Sequence, residues 1–242
     1  MRSILAGRGA GPKQHPAPPR ALAFRRRLLA WYARHRRRLP WRGARDPYAV
    51  LVSETMLQQT QVARVLEFYP RFLARYPTLE DLAAASADAV RESWEGLGYY
   101  ARARNLHAAA REVMRRLSGR LPRRPEELRA LPGIGRYTAG AVASLAYGAD
   151  VPAVDTNAAR VLARVFALRG RKKSARRERR VWALAAALVP RGRAADWNQA
   201  LMDLGATYCT ARRPRCQDCP VWGSCATGRT RADREKETSR RR

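Results

Sequence analysis

The sequence predicts an all-α fold. Apolar residues recur at spacings of three and four along most of the chain, and helix start and stop signals punctuate it at short intervals. No stretch sustains the period-2 alternation and turn signals of a strand hairpin, and no repeat at a solenoid period is present. The elements follow in order. Ala21–Arg37 is an Arg-rich amphipathic segment ending at Leu39-Pro40. Asp46 before Pro47 makes a cap and first-turn pair for a helix running through Ala49–Gln59. Gln61–Tyr76 sets Val62, Val65, Leu66, Tyr69 and Phe72 on one face. Thr78, with Glu80 and Asp81 behind it, and Ser86, with Asp88, open two short helices, and Gly96 and Gly98 close the second. Tyr99–Leu117 is a long helix stopped by Gly119. Pro125–Leu131, then Pro132-Gly133-Ile134-Gly135, then Arg136–Tyr147 spells helix, tight hairpin, helix. Thr156–Leu168, Ala175–Leu188 and Ala195–Ala206 complete the set.

Charge selects the partner. The 242 residues hold 49 Lys and Arg against 20 Asp and Glu, a formal net charge of +29, and 46% of them are hydrophobic, enough for a sizeable core. Residues 1–20 carry four basic and no acidic residues, and residues 226–242 seven basic and three acidic, which leaves +21 on the body between them. A folded body that basic repels itself unless a polyanion is its usual neighbour, so nucleic acid is the expected partner. Only four of the cations are Lys, a bias that genome composition accounts for, but that bias does not account for the excess itself. The longest apolar stretches, around Ala139–Ala149 and Val181–Pro190, fall short of a membrane span, and no basic amphipathic helix dominates. The basic, Pro- and Gly-rich start lacks a signal-peptide hydrophobic run and is expected to be a disordered leader, with a transit peptide the weaker reading; residues 226–242 are expected to be a disordered basic tether. A monomer in a bacterial-type cytoplasm, associated with the nucleoid, is the expectation.

Three constellations carry chemistry. In Leu131–Tyr137, Gly133 and Gly135 let the backbone turn sharply and approach a phosphate, and the helix that follows points free N–H groups at it; an ordinary αα turn suits the same residues. Cys209, Cys216, Cys219 and Cys225 stand at C-x6-C-x2-C-x5-C spacing. Without a secretion signal this favours metal over disulfides, and a single C-x2-C knuckle tilts it from zinc towards a 4Fe–4S cluster. Arg212, Arg213 and Arg215 fill its first loop, where they would present cations to DNA. Glu54 lies within an apolar run, so burial would raise its pKa and fit it to donate a proton, while a surface position on an amphipathic helix is equally compatible with the spacing. Asp155 before Thr156 is a helix cap by position, and a cap and a catalytic carboxylate are not exclusive.

These residues sit within segments that occur in a familiar order: SETMLQQTQV (Ser53–Val62), GLGYYARARNLH (Gly96–His107), LPGIGRYTAGAVASLAYG (Leu131–Gly148), VDTNAARVLAR (Val154–Arg164) and WNQALMDLGATYC (Trp197–Cys209), then the cysteine loop. Over Leu39–Cys225 the chain closely resembles the adenine DNA glycosylases, the MutY branch of the helix-hairpin-helix DNA glycosylase superfamily. The resemblance implies a six-helix domain with the hairpin motif over residues 47–152. It implies a cluster domain from 21–46 and 153–225, with the active-site cleft between the two. It makes Glu54 the general acid and Asp155 the carboxylate facing the sugar, with Tyr137 and Asn157 beside them and Arg42 in the pocket. Gln59, Thr60, Leu97 and Tyr99 match residues that invade the duplex opposite the extruded base, and the cysteines match the ligands of a 4Fe–4S cluster.

The implied activity is base excision repair: hydrolysis of the N-glycosidic bond of adenine mispaired with 8-oxoguanine or guanine in double-stranded DNA. Relatives that also cut the strand carry Lys where this chain has Tyr137, so a monofunctional enzyme without lyase activity is expected. Typical members continue into a NUDIX-like domain after the cluster; this chain has a tail there, which puts a preference for 8-oxoguanine in doubt. The alternatives are a thymine-mismatch glycosylase on the same scaffold and a non-catalytic DNA-binding protein.

Overall fold

The computed structural model describes residues 19–171 and 174–228. The expected leader and tail, and Lys172 and Lys173, lie almost wholly outside the described residues. Within them every regular element is helical. The chain runs through α1 (Pro19–His35), α2 (Pro47–Met56), α3 (Val62–Arg75), α4 (Leu79–Ala84), α5 (Ala87–Ser93) and α6 (Ala101–Arg116). It continues through α7 (Pro125–Leu128), α8 (Arg136–Leu145), α9 (Thr156–Val165), α10 (Ala175–Leu188) and α11 (Ala194–Thr207), with a 3₁₀ turn at Trp222–Ser224. Local chemistry fixes the starts. Asp46, Ser86, Asp155 and Ser174 each accept backbone N–H groups at a helix N-terminus, and Thr78 and Asp81 form a reciprocal capping box. The ends come earlier than the hydrophobic pattern predicted. Helix α2 stops at Met56, with Gln59 turned to φ 56°, α7 stops at Leu128 and α9 at Val165.

Among the described residues two large hydrophobic cores form, with a small cluster of Ala141, Ala153 and Met202 where α8 meets α11. One gathers α2 to α8 around Phe72, Leu82, Trp94 and Val142; the other gathers α1, α9, α10 and α11 around Phe24, Leu162, Trp197 and Leu201. Trp41 and Leu39 pack in the first core, so the chain crosses over between Tyr32 and Leu39, ahead of the boundary expected after residue 46.

Polar groups join the cores. Buried Asn198 on α11 donates to Ser144 Oγ of α8 at 2.9 Å and to the Val151 carbonyl at 3.0 Å, and accepts from Ala153 N at 3.1 Å. Buried Asp203, also on α11, pairs with Arg37 at 2.6 Å and Arg42 at 2.8 Å, which anchors the crossover strand of chain. Removing one member of a buried hydrogen-bonded set strands its partners. Asn198→Ala should therefore cost about 2–3 kcal/mol, a fall of roughly 5–10 °C in Tm by differential scanning calorimetry.

Candidate active site

Helix α2 is apolar on all sides, and Tyr48 through Met56 are all buried. The helix carries one carboxyl into that environment: Glu54 is 4% exposed. Of the two placements open in the sequence, the structure adopts the buried one. No cation pairs with this carboxyl among the described residues; instead Tyr137, in the first turn of α8, donates its hydroxyl proton to Glu54 Oε2. Burial raises the Glu54 pKa, and the charge of Asp155 adds to it, against the Tyr137 hydrogen bond and the field of Arg42. The Tyr137 hydroxyl is held well above its ordinary 10 by desolvation first and by the Glu54 charge second, so it remains a donor.

Asp155 faces the same cleft from the second core. Its carboxylate caps α9, accepting from Ala158 N at 2.7 Å and from Asn157 Nδ2 at 2.9 Å. Burial raises its pKa as well, but the Ala158 N–H, the Asn157 side chain and backbone, and the Arg160 charge all favour the ionised form. The asymmetry lies in the donors. Asp155 has several N–H groups that reward charge, whereas Glu54 has one hydroxyl and a deeper site, so the surroundings favour ionisation more at Asp155 than at Glu54.

The cleft between them is a cavity of about 750 Å³, lined also by Arg42, Gln59, Thr60, Asn157 and Gln199. Arg42 reaches it already engaged, donating to Asp203 at 2.8 Å and to the Tyr32 hydroxyl at 3.0 Å. Asn157 is held in turn. Arg160 donates Nη2 to Asn157 Oδ1 at 2.7 Å and to the Gly205 carbonyl at 2.8 Å, and Nε to the Cys209 carbonyl at 2.7 Å. A continuous hydrogen-bonded path thus runs from Asp155 to the first cysteine.

The other residues singled out in the sequence lie outside this cavity. Leu97 is a correction: it is 6% exposed and packs in the first core, where it cannot enter a duplex. Tyr99, 61% exposed with φ 50°, projects from the same turn instead. In the hairpin, Gly133 has φ 72° and a Cβ there would meet Asn105 Cβ at 2.6 Å. Gly135 does not make the turn, since its φ of −79° is ordinary, and a Cβ there would meet no protein atom within 4 Å. No side chain caps α8, so the hairpin leaves first-turn N–H groups open beside an uncluttered backbone. Sequence reading missed Arg102, Arg160, Asn198 and Asp203. All four stand inside the quoted motifs as unremarked letters, and only their partners give them meaning.

The four cysteines line a second cavity, of about 230 Å³, with Arg164, Tyr208 and Trp222. The donor set fits an iron–sulfur cluster. All four thiols are free, Cys209 Sγ lies 3.4 Å from Arg164 Nη1, and Cys225 Sγ receives the Gly228 N–H at 3.3 Å. Burial pushes the Cys219 thiol up to about 11 and raises Cys225, and bound iron would favour their thiolate forms.

Comparison with known proteins identifies the family. Residues 52–186 match the HhH-GPD superfamily of base excision DNA repair proteins, and residues 209–225 the iron–sulfur binding domain of endonuclease III. An adenine DNA glycosylase of Homo sapiens is 48% identical over 223 residues, which are 88% of this chain and 41% of that protein. The chain therefore spans about two fifths of the length of this relative. A solved thermostable thymine-DNA glycosylase superposes with a TM-score of 0.81 at 32% identity, covering 87% of this chain and 97% of its own. A trapped endonuclease III–DNA covalent intermediate superposes with a TM-score of 0.73 at 25% identity, covering 86% and 95%.

Two outcomes follow. A raised Glu54 pKa means that the folded chain keeps a proton which the unfolded chain loses above about 4.5, so this carboxyl costs stability as pH rises through that window. Relative to wild type, Glu54→Gln should gain melting temperature as pH rises above about 4.5; a gap that stays flat or shrinks with rising pH would show that the folded chain does not raise this pKa. Cys216→Ala should lose the visible iron–sulfur absorbance and the stoichiometric iron, measured on anaerobically purified protein.

Proposed function

Because the chain belongs to the HhH-GPD superfamily of base excision DNA repair proteins, we propose that its cleft hydrolyses the N-glycosidic bond of adenine mispaired with guanine or 8-oxoguanine in double-stranded DNA. The observation that carries this reading is the Glu54–Tyr137 pair, a buried hydrogen-bonded carboxyl facing the capped carboxyl of Asp155 across one cavity. The 48% identity to the human adenine DNA glycosylase supports the choice of base. The likeness to the thymine-DNA glycosylase structure favours thymine opposite guanine as the second reading.

In this reading the chemistry divides between the two carboxyls. Adenine leaves poorly as an anion, and its sugar carbon is hidden in the stack, so the nucleotide is extruded first, at a cost that mispairing lowers. Glu54 then protonates the purine ring, with Tyr137 fixing the position of its proton. As the bond to C1′ breaks, the sugar gains oxocarbenium character, and Asp155, kept ionised by Ala158 and Asn157, stabilises that charge before water adds. Hydrogen-bond donors that reward a carboxylate are therefore placed where negative charge is needed. No amine stands at position 137 to form a Schiff base, so the product is an abasic site on an intact strand.

The six-helix and cluster domains, the hairpin as phosphate contact, and Gln59, Thr60 and Tyr99 as the wedge opposite the extruded base belong to the same proposal. So do a monomeric state and a nucleoid-associated, cytoplasmic setting; among the described residues no helix is long and apolar enough to cross a membrane. The cysteines would hold a 4Fe–4S cluster whose part is to cross-link their loop and present its arginines, with no share in bond cleavage.

The test is single-turnover base release from duplexes holding A opposite 8-oxoguanine, A opposite G, and T opposite G. Wild type should release adenine and leave strands that break only in hot alkali, with no borohydride-trapped complex. Glu54→Gln should lose at least ~10²–10⁴-fold in rate while keeping its affinity for duplex. Release of thymine alone would install the second reading, and an unchanged rate in Glu54→Gln would return Glu54 to a structural role.

A further inference from the structure

Arg102, the second residue of α6, is 8% exposed, and among the described residues no carboxylate pairs with it. A buried cation of this kind persists only where dipoles replace its water. Here five backbone carbonyls do so, and they come from two turns far apart in sequence. Arg102 Nη1 donates to the carbonyls of Thr55 at 3.0 Å, Met56 at 2.7 Å and Gln58 at 2.6 Å. Nη2 donates to those of Leu97 at 3.3 Å and Gly98 at 3.0 Å. The guanidinium also lies 5.5 Å from the ring centroids of both Trp94 and Tyr99.

Each of these turns holds a non-glycine residue in the left-handed region, Gln59 at φ 56° and Tyr99 at φ 50°. Such residues keep that conformation only where their surroundings over-determine it. Both are exposed. One guanidinium therefore satisfies the frayed end of α2 and the turn before α6 together, and fixes the spacing of two projecting side chains.

We infer that Arg102 is a positioning residue that locks the Gln59–Thr60 turn to the Tyr99 turn, so that both enter a duplex as one rigid wedge. The inference rests on the cleft being a DNA glycosylase site, but the mechanical lock stands apart from it. Arg102 touches neither Glu54 nor Asp155, so its work is extrusion of the nucleotide rather than cleavage of the bond. Lysine would keep the charge but lacks the planar fork that reaches both turns.

The test uses the full-length, cluster-loaded protein. In hydrogen exchange without DNA, Arg102→Lys should speed exchange of both turns, residues 57–61 and 96–100, together, with a cooperative melt retained. On a duplex holding 2-aminopurine opposite guanine, the fluorescence rise on saturation should fall at least fivefold while affinity for undamaged duplex stays within twofold. Adenine release from an A opposite G pair should fall at least tenfold with an unshifted pH profile, and recover to within threefold when the adenine lies in a preformed bubble. Loss that the bubble does not rescue, or faster exchange in one turn only, would overturn the inference. If Arg102→Lys does not melt cooperatively, native-state exchange of wild type decides: a common opening free energy for the two turns supports the lock and separate ones overturn it. Wild-type protein that releases no base from any duplex would instead sink the functional reading and leave the exchange result standing.

Discussion

The cleft exists because α8 and α11 are narrow enough to let their neighbours close on them. Helix α8 buries Thr138 through Ser144 without one large side chain among Ala139, Gly140, Ala141 and Ala143. A Cβ on Gly140 would stand 2.3 Å from the Pro152 carbonyl oxygen, and one on Gly205 of α11 2.6 Å from Asn157 Cβ. Neither backbone atom nor Cβ can step aside, so both glycines are demanded by close approach and not by conformation. Through the first contact, Tyr137 at the head of α8 packs against the cluster of Ala141, Ala153 and Met202, where α8 meets α11. Through the second, Asn157 is pressed to where it holds Asp155. The distance between the two carboxyl-bearing cores is set by these missing methyl groups.

That closeness has an electrostatic consequence. Two carboxyls share a cavity whose lining cations, Arg37 and Arg42, are both already committed to Asp203. Burial raises the pKa of both, and at Glu54 the Asp155 charge adds to it. A protein selected for stability alone would place apolar groups here. The arrangement is held against its own cost by the packing of α2, whose surrounding residues are buried from Tyr48 to Met56.

The same economy of partners reaches the cysteine loop. Arg160 spans Asn157, Gly205 and Cys209, while Arg164 donates to Cys209 Sγ and the Thr210 carbonyl and accepts from Thr227 at its own carbonyl. Two arginines one turn apart on α9 therefore carry order from the loop's two ends to the helix whose cap is Asp155. Arginine suits this because its fork reaches several acceptors at fixed angles, which a lysine cannot do. Part of the chain's large positive charge is thus internal structure, bound to carbonyls, and only the exposed remainder is available to phosphates.

Local rules read from the sequence alone gave the helical class, the caps at Asp46, Thr78, Ser86 and Asp155, the hairpin at Pro132–Gly135 and the cysteine loop. Each depends on neighbours within a few residues, where spacing and side-chain chemistry decide the outcome. The motifs also named Glu54, Tyr137, Asp155 and Asn157. Tertiary structure decided everything that depends on a partner distant in the chain. It buried Glu54, for which spacing allowed either face, and drew Leu97 inward while sending Tyr99 out. It made Gly135 a matter of open space rather than of φ, and gave Arg102, Arg160 and Asp203 their acceptors and partners. Periodicity specifies which residues share a helix face but not what that face meets, and the pKa of a carboxyl or the use of an arginine is a property of that meeting.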